Sequence, residues 1–439
     1  MSDKEWFNKG VELSKLGRYE DALKVFEKAI EMNPQFAEAW YAKGVALAKL
    51  EKYEKAIEAC EKAIEINSQF AEAWFTKGAE FSELERHEEA LKAFDKAIEI
   101  NPQYPEPWVN KGVTLSNLGR HEDALKIFDK AIEINPQYVW LWFYKGIELD
   151  KLGRHEDALK SFDKAIEINP QFAEAWLAKG FTLGELGRHE DALKIFDKTI
   201  EINPQYVWPW LYKGIELGKV GKHEDALKAF EKAIELDPHF AEAWFYKGFD
   251  LGKLGRYEEA IEAYENVIEI NPQDAIAWVN KGVELGKLGR HEDALKAYEK
   301  AIEVNPQYAE AWLNKGVVLG KVGRHEKALK AFYKAIEIKP QFADAWVNEG
   351  VALSELGKYE EALKAFYIAT EINPQPAMAY TNLGELFFKL GNLKEASENV
   401  KNALNIDGEL VSALSLQGRI KIEEKDYDAA SEAFKKAMT

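Results

Sequence analysis

From Phe172 to Gln205 the apolar residues recur at helical spacing in two blocks: Trp176, Leu177, Gly180, Phe181, Leu183, Leu186, and then Ala192, Leu193, Ile195, Phe196, Ile200. Apolar positions three and four apart line one side of an α-helix, so each block predicts an amphipathic helix. Gly187 separates the two. Glu190 and Asp191 suit the positive end of a starting helix, and Asn203 with Pro204 closes it, because proline has no N–H to continue the hydrogen-bond ladder. The stretch therefore reads as a helical hairpin of 34 residues with a short turn.

That hairpin is copied along the chain. Tryptophan returns every 34 residues, at Trp6, Trp40, Trp74, Trp108, Trp142, Trp176, Trp210, Trp244, Trp278, Trp312 and Trp346, and Tyr380 and Leu414 continue the phase. Glycine follows four residues later throughout, from Gly10 to Gly418. Further phases hold alanine (Ala22, Ala56, Ala90), phenylalanine or tyrosine (Phe26, Phe94, Phe128), a second alanine (Ala29, Ala63, Ala97) and proline (Pro34, Pro102, Pro136). Thirteen copies, starting near 3, 37, 71, 105, 139, 173, 207, 241, 275, 309, 343, 377 and 411, make one array over 3–439 whose last copy ends early. Small residues at the glycine and alanine phases let helix backbones approach, and large residues fill the gaps. A lone hairpin cannot bury its apolar faces, so neighbours must stack, which predicts an all-α solenoid of antiparallel helix hairpins.

The series W-x3-G, G-R-H/Y-x2-A, x3-F, x2-A and x4-P resembles the tetratricopeptide repeat, over essentially the whole chain. The resemblance implies a right-handed α-superhelix of more than one turn, whose first helices line a concave groove that binds peptides or proteins. Two features depart from the family pattern. Lysine precedes the glycine in ten successive units, Lys9 through Lys315, where the family has an apolar residue. A lysine can lay its methylene stem on apolar surface and lift its ammonium into water. Ser68 and Gly408 replace proline, and no extra helix follows Thr439. Either Lys435 and Lys436 serve as a polar cap, or the chain is cut from a longer protein.

Composition narrows the picture. The chain has 439 residues, 46% apolar and 31% charged, the balance of a soluble folded protein. It holds no run of eighteen apolar residues and no signal-peptide series at its start, so a cytoplasmic protein beginning at Met1 or Ser2 is expected. A net charge of −18 repels phosphate backbones and anionic lipid, which argues against nucleic acid and membrane partners. The single cysteine, Cys60, cannot form an internal disulfide.

No catalytic, cofactor or metal site is expected. Histidine recurs at His87, His121, His155, His189, His223, His291 and His325, but one ring per layer cannot converge on a metal when stacked helices sit roughly 8 to 10 Å apart. Tyrosine takes the same phase at Tyr19, Tyr53, Tyr257 and Tyr359, so an amphipathic ring packing at the hairpin turn accounts for it. "GVELGKLG", Gly282 to Gly289, is glycine-rich inside a helical block with no strand before it, which fails the context of a phosphate loop. Glu122 with Lys126, repeated as Glu156 with Lys160 and Glu190 with Lys194, reads as a solvated i,i+4 pair.

By the resemblance, the groove is lined one, five and eight residues after the tryptophan and two before it. The first position holds Phe143, Leu177, Leu211 and Phe245, and the second Ile147, Phe181, Ile215 and Phe249. Lys, Asn and Arg of the kind that clamp a C-terminal carboxylate are not expected there. Eight residues on, Gly184, Gly218, Gly252, Gly286 and Gly320 imply a close approach, by a ligand backbone or by aromatic rings of adjacent layers. A lysine stripe follows, Lys219, Lys253, Lys287 and Lys321, opposed by glutamates such as Glu174 and Glu242. Trp140 and Trp208 replace the glutamate in their units, with Tyr144, Tyr212 and Tyr246 nearby. Large aromatics on an open face are the usual anchors of binding. Leu118 to Trp176 also matches Leu186 to Trp244 at 48 of 59 places, so duplication accounts for the second tryptophan equally well.

These residues predict a non-enzymatic scaffold whose apolar, charge-rimmed groove takes a protein or extended peptide. Two alternatives remain: the targeting region of a larger enzyme, as in glycosyltransferase fusions, and end-to-end self-association through the terminal units.

Overall fold

The computed structural model describes residues 1–373 and 375–438, so Thr439, the expected end of the array, lies outside the described residues. Twenty-six α-helices and no strand occur among them. The chain divides into two compact units, Met1–Val220 and Gly221–Thr439. In the first, first helices of the hairpins begin at Asp3, Ala37, Ala71, Pro105, Val139, Ala173 and Val207. The second opens on the helix His223–Leu236 and continues with hairpins from Ala241, Ala275, Ala309, Ala343, Ala377 and Val411. Within each unit every helix packs on the next one in the chain, and first helices also touch the first helix of the neighbouring hairpin. The fold is therefore an all-α solenoid of stacked antiparallel hairpins.

One hairpin shows why. The helix Val139–Lys151 ends when Gly153 takes φ +71, while the Gly153 N–H donates to Asp150 O at 2.9 Å and the Arg154 N–H to Leu149 O at 2.8 Å. Those two bonds occupy carbonyls a helix end leaves free, and only glycine enters the left-handed region without a steric cost. The helix His155–Ile168 follows, with Glu156 and Asp157 in its first turn. It runs to Asn169, whose Oδ1 accepts from the Gln171 N–H at 3.1 Å. Trp176 Nε1 then donates to Pro170 O at 3.0 Å, as Trp142 does to Pro136 O at 2.9 Å. The repeated tryptophan thus pins the turn between hairpins as well as packing on it.

Inside the hairpin Gly146 faces the fully buried Phe162 so closely that an added β-carbon would stand 2.5 Å from the ring. Cys60 occupies the phenylalanine position of its own hairpin, opposite Gly44, where a β-carbon would stand 2.8 Å from its sulfur. The thiol is wholly buried, and burial pushes it up to about 12. It packs as an apolar residue with little thiolate to react.

Three turns use another residue where the rest have glycine: Glu51 at φ 57, Glu85 at φ 57 and Lys425 at φ 63. A β-carbon in the left-handed region costs roughly 1 kcal/mol, part of which glycine returns as unfolded-chain entropy. The variant Glu51→Gly with Glu85→Gly is expected to raise unfolding free energy by about 0.5 kcal/mol per site. Urea titrations followed by circular dichroism read this directly. A lower midpoint would show that those turns are held by something other than backbone preference.

Candidate binding faces of the first helices

In the first unit the expected aromatic residues do gather. Trp140 is 36% exposed, stacks on Tyr144 at 5.9 Å between ring centres, and meets Phe143 edge-on at 5.8 Å and Phe172 at 4.7 Å. Two hairpins on, Trp208 is 37% exposed and stacks on Tyr212 at 6.0 Å, and Phe181, 40% exposed, meets Tyr212 edge-on at 5.5 Å. Phe143, Tyr144, Ile147, Leu177, Tyr212 and Ile215 are half-buried. In the second unit Tyr246 and Phe249 stand open, whereas Phe245 is half-buried against Tyr264 at 5.8 Å.

Leu211 is a correction: it is 2% exposed and belongs to the core. The position after the tryptophan is chiefly an interlayer contact rather than a groove lining. Phe7 meets Phe36, Tyr41 meets Phe70, and Phe143 meets Phe172, at 5.0, 4.9 and 5.1 Å. In each pair the partner precedes the next first helix, so stacking a further hairpin covers this side chain.

The charged rim is also arranged differently from the sequence expectation. Lys219 Nζ pairs with Glu216 Oε1 at 2.8 Å and Lys287 Nζ with Glu284 Oε1 at 2.9 Å, one turn back on the same helix. Lys253 Nζ lies 5.2 Å above the Phe249 ring. Lys219 and Lys287 therefore answer buried acids six residues after the tryptophan, and among the described residues none of the three pairs with Glu174 or Glu242. The solvated pairs shift as well: Lys126 and Lys160 reach Asp123 and Asp157 at 3.1 and 3.0 Å, three residues away, instead of Glu122 and Glu156.

Those buried acids are the residues that sequence reasoning missed. Glu148, 3% exposed, accepts from Ser116 Oγ at 2.6 Å and Lys151 Nζ at 3.0 Å, with His121 Nδ1 at 2.8 Å. Burial works to raise this carboxyl, yet the three hydrogen bonds hold it below its ordinary value. An ionised carboxylate only accepts, so His121 Nδ1 carries the hydrogen. His189 reaches Glu216 at 2.6 Å and His223 reaches Asp250 at 2.8 Å in the same way. Burial raises the Asp250 carboxyl despite His223.

At His121, His189 and His223 the repeated histidine is thus a polar link between layers, and ring packing alone does not describe those three. Its partner lies 27 residues on, and that spacing was the available signal. Where residue 27 is Thr114 or Val318, the Nδ1 atoms of His87 and His291 are buried with no partner among the described residues. The residue 27 on from His155 is Thr182, and His155 bonds Asp150 at 2.8 Å.

The same acids account for part of the glycine stripe. A β-carbon on Gly184 would stand 2.8 Å from Glu216 Oε1, and one on Gly252 2.9 Å from Glu284 Oε1, while Gly286 and Gly320 face open space. At Gly184 and Gly252 it is a carboxylate of the next layer, and not an aromatic ring, that approaches. The lysines before the glycines differ from expectation too. Lys145, Lys179 and Lys213 pair with Asp129, Asp163 and Asp197 at 2.6 Å, with their ammonium groups 5.5–5.9 Å above Trp142, Trp176 and Trp210. Their charge is paired over an indole, which outweighs leaving it in open water.

Among the described residues no three His, Cys, Asp or Glu side chains converge to hold a metal ion, and no helix is long and apolar enough to cross a membrane.

Sequence profiles of the tetratricopeptide repeat match residues 7–71, 71–104, 105–138, 139–172, 161–194, 207–240, 241–274, 279–343, 343–376, 377–409 and 411–439. No curated protein sequence matches. Among solved structures, the APC/C hetero-tetramer Cut9–Hcn1 is 16% identical over 96% of this chain and 96% of that one, with a TM-score of 0.48. Yeast Tom70 is 15% identical over 98% of each chain, at 0.46. YrrB, described as a TPR protein with an unusual peptide-binding site, is 30% identical over 42% of this chain and 95% of its own, at 0.36. The profile matches leave only short gaps between Phe7 and Thr439, and the chain belongs to the tetratricopeptide repeat family.

Proposed function

We propose that this repeat protein, as a protein-interaction scaffold, binds its partner on the aromatic face of the first unit, around Trp140, Phe143, Tyr144, Phe181, Trp208 and Tyr212. The observation that carries the reading is the pair Trp140 and Trp208, each more than a third exposed and each stacked on a tyrosine of its own helix. Rings held by neighbouring rings lose little freedom when a partner covers them, so more of their burial appears as affinity. At about 25 cal/mol per Å² of apolar surface covered, two such rings supply several kcal/mol. An apolar segment, helical or extended, fits this face better than a charged one. Glu174 at the matching position between them adds one negative charge.

The test substitutes both tryptophans by the glutamate found at the same position in other units. Trp140→Glu with Trp208→Glu keeps the helices, because six other hairpins, from Glu38 to Glu310, fold with glutamate there. Affinity for a partner recovered with the native protein is expected to fall at least about tenfold, with circular dichroism unchanged. Retention of the native set of partners by the folded variant would place the binding surface elsewhere.

A further inference from the structure

In the second unit the lysine that precedes the glycine is Lys247, Lys281 and Lys315 in turn, and then the series inverts. Lys281 Nζ lies 5.4 Å above Trp278 and 2.7 Å from Glu265, and Lys315 Nζ lies 5.8 Å above Trp312 and 2.9 Å from Glu299. In each case the acid sits sixteen residues earlier, on the preceding second helix. One hairpin further both members change together: Glu349 stands in the lysine position and Tyr333 in the acid position.

The result is a layer with an acid, an indole and a phenol, and with no lysine in the position that Lys281 and Lys315 hold. Glu349 is 6% exposed, and its Oε2 is buried with no hydrogen-bond partner among the described residues. No Lys or Arg lies over the Trp346 ring among the described residues, although its Nε1 holds Pro340 O at 2.9 Å as the other tryptophans hold theirs. Tyr333 is 49% exposed, and burial, together with the nearby charges of Glu349 and Glu361, raises its phenol. In this layer Trp346 is half-buried and Tyr333 exposed, whereas Glu349 is buried. In the two preceding layers Trp278 with Lys281, and Trp312 with Lys315, line open surface cavities of about 320 and 460 Å³.

A buried carboxylate beside an indole and a phenol is the chemistry that holds an ammonium group, by a charge-assisted hydrogen bond and by cation–π attraction. The chain supplies that ammonium from its own lysines in the layers before. We propose that the Glu349, Trp346 and Tyr333 site takes the ammonium group of a second molecule, as a lysine side chain of a protein or as a small alkylamine. The site is separate from the aromatic face of the first unit and does not depend on its role.

The test labels the protein with 5-fluorotryptophan and follows the Trp346 fluorine resonance, assigned with Trp346→Phe, at pH 8. One arm adds butylammonium and the other the capped tripeptide acetyl-Gly-Lys-Gly-amide, each at constant ionic strength. A saturable shift confined to Trp346 is expected, with Kd raised at least about tenfold in Glu349→Gln. Tighter binding of the tripeptide assigns the source to a protein lysine, and tighter binding of butylammonium to a free amine. A second variant, Tyr333→Glu with Glu349→Lys, rebuilds the internal pair and is expected to fold and to abolish binding. No saturable shift with either probe, or equal shifts in both variants, overturns the proposal.

Discussion

Phe162→Ala is expected to lower unfolding free energy by about 3 to 5 kcal/mol, the range for deleting a fully buried aromatic ring that the surroundings cannot refill. Phe162 is 0% exposed and packs between Phe143, at 6.2 Å, and the backbone of Gly146. Gly146→Ala approaches the same contact from the other side. Its methyl would arrive 2.5 Å from the ring, and overpacking of that kind costs about 1 to 3 kcal/mol. In the double variant the methyl enters the space the ring vacated. Its cost on the Phe162→Ala background should therefore shrink, a coupling that additive sites would not show. Urea titrations of the four proteins, with hydrogen exchange in the helices Val139–Lys151 and His155–Ile168 as the local readout, test this. Strict additivity would mean that the glycine is set by the backbone and not by the ring.

The second large effect is a dependence on pH. Burial pushes the Glu80 carboxyl up to about 7, with Glu83 adding to the rise and Lys49 opposing it, and burial alone does the same at Glu349. Neither has the partner that satisfies its counterparts. Tyr53 occupies the position from which a histidine would reach Glu80, and Glu349 has no lysine. A carboxyl raised in the folded state favours folding while protonated. The contribution is whole below the ordinary value of 4.5 and is lost as pH rises through about 7. Glutamine keeps the shape and removes the charge. Glu80→Gln is therefore expected to stabilise the protein by roughly 2 to 3 kcal/mol at pH 8 and by less than about 1 kcal/mol at pH 5, with Glu349→Gln behaving alike. Urea titrations at the two pH values decide it. An equal shift at both would show that the native carboxylates are solvated.

The candidate site was legible in part. Trp140, Trp208, Phe181 and Phe249 stand on exposed faces because each departs from its phase or lies on the side of the first helix that no hairpin covers. Leu211 could not be placed from its own sequence, since the residue that buries such a position arrives with the next hairpin. The polar links were hidden for the same reason. Glu148 looks like one more surface acid until the layer before brings Ser116 and His121 against it.

The amino-acid sequence by itself determined the hairpin, its period and its family. Helical spacing, Gly153-type turns and proline stops act within one 34-residue unit and need nothing from elsewhere. Only the tertiary structure decided which charges are paired and which are left alone. Stacking brings together residues 16, 27 and 32 apart, and burial between layers turns a change at one position, such as Tyr53 in the histidine phase or Glu349 in the lysine phase, into an orphaned acid. Those contacts cost or stabilise by desolvation, and the pattern of one repeat does not reveal what its neighbour will cover.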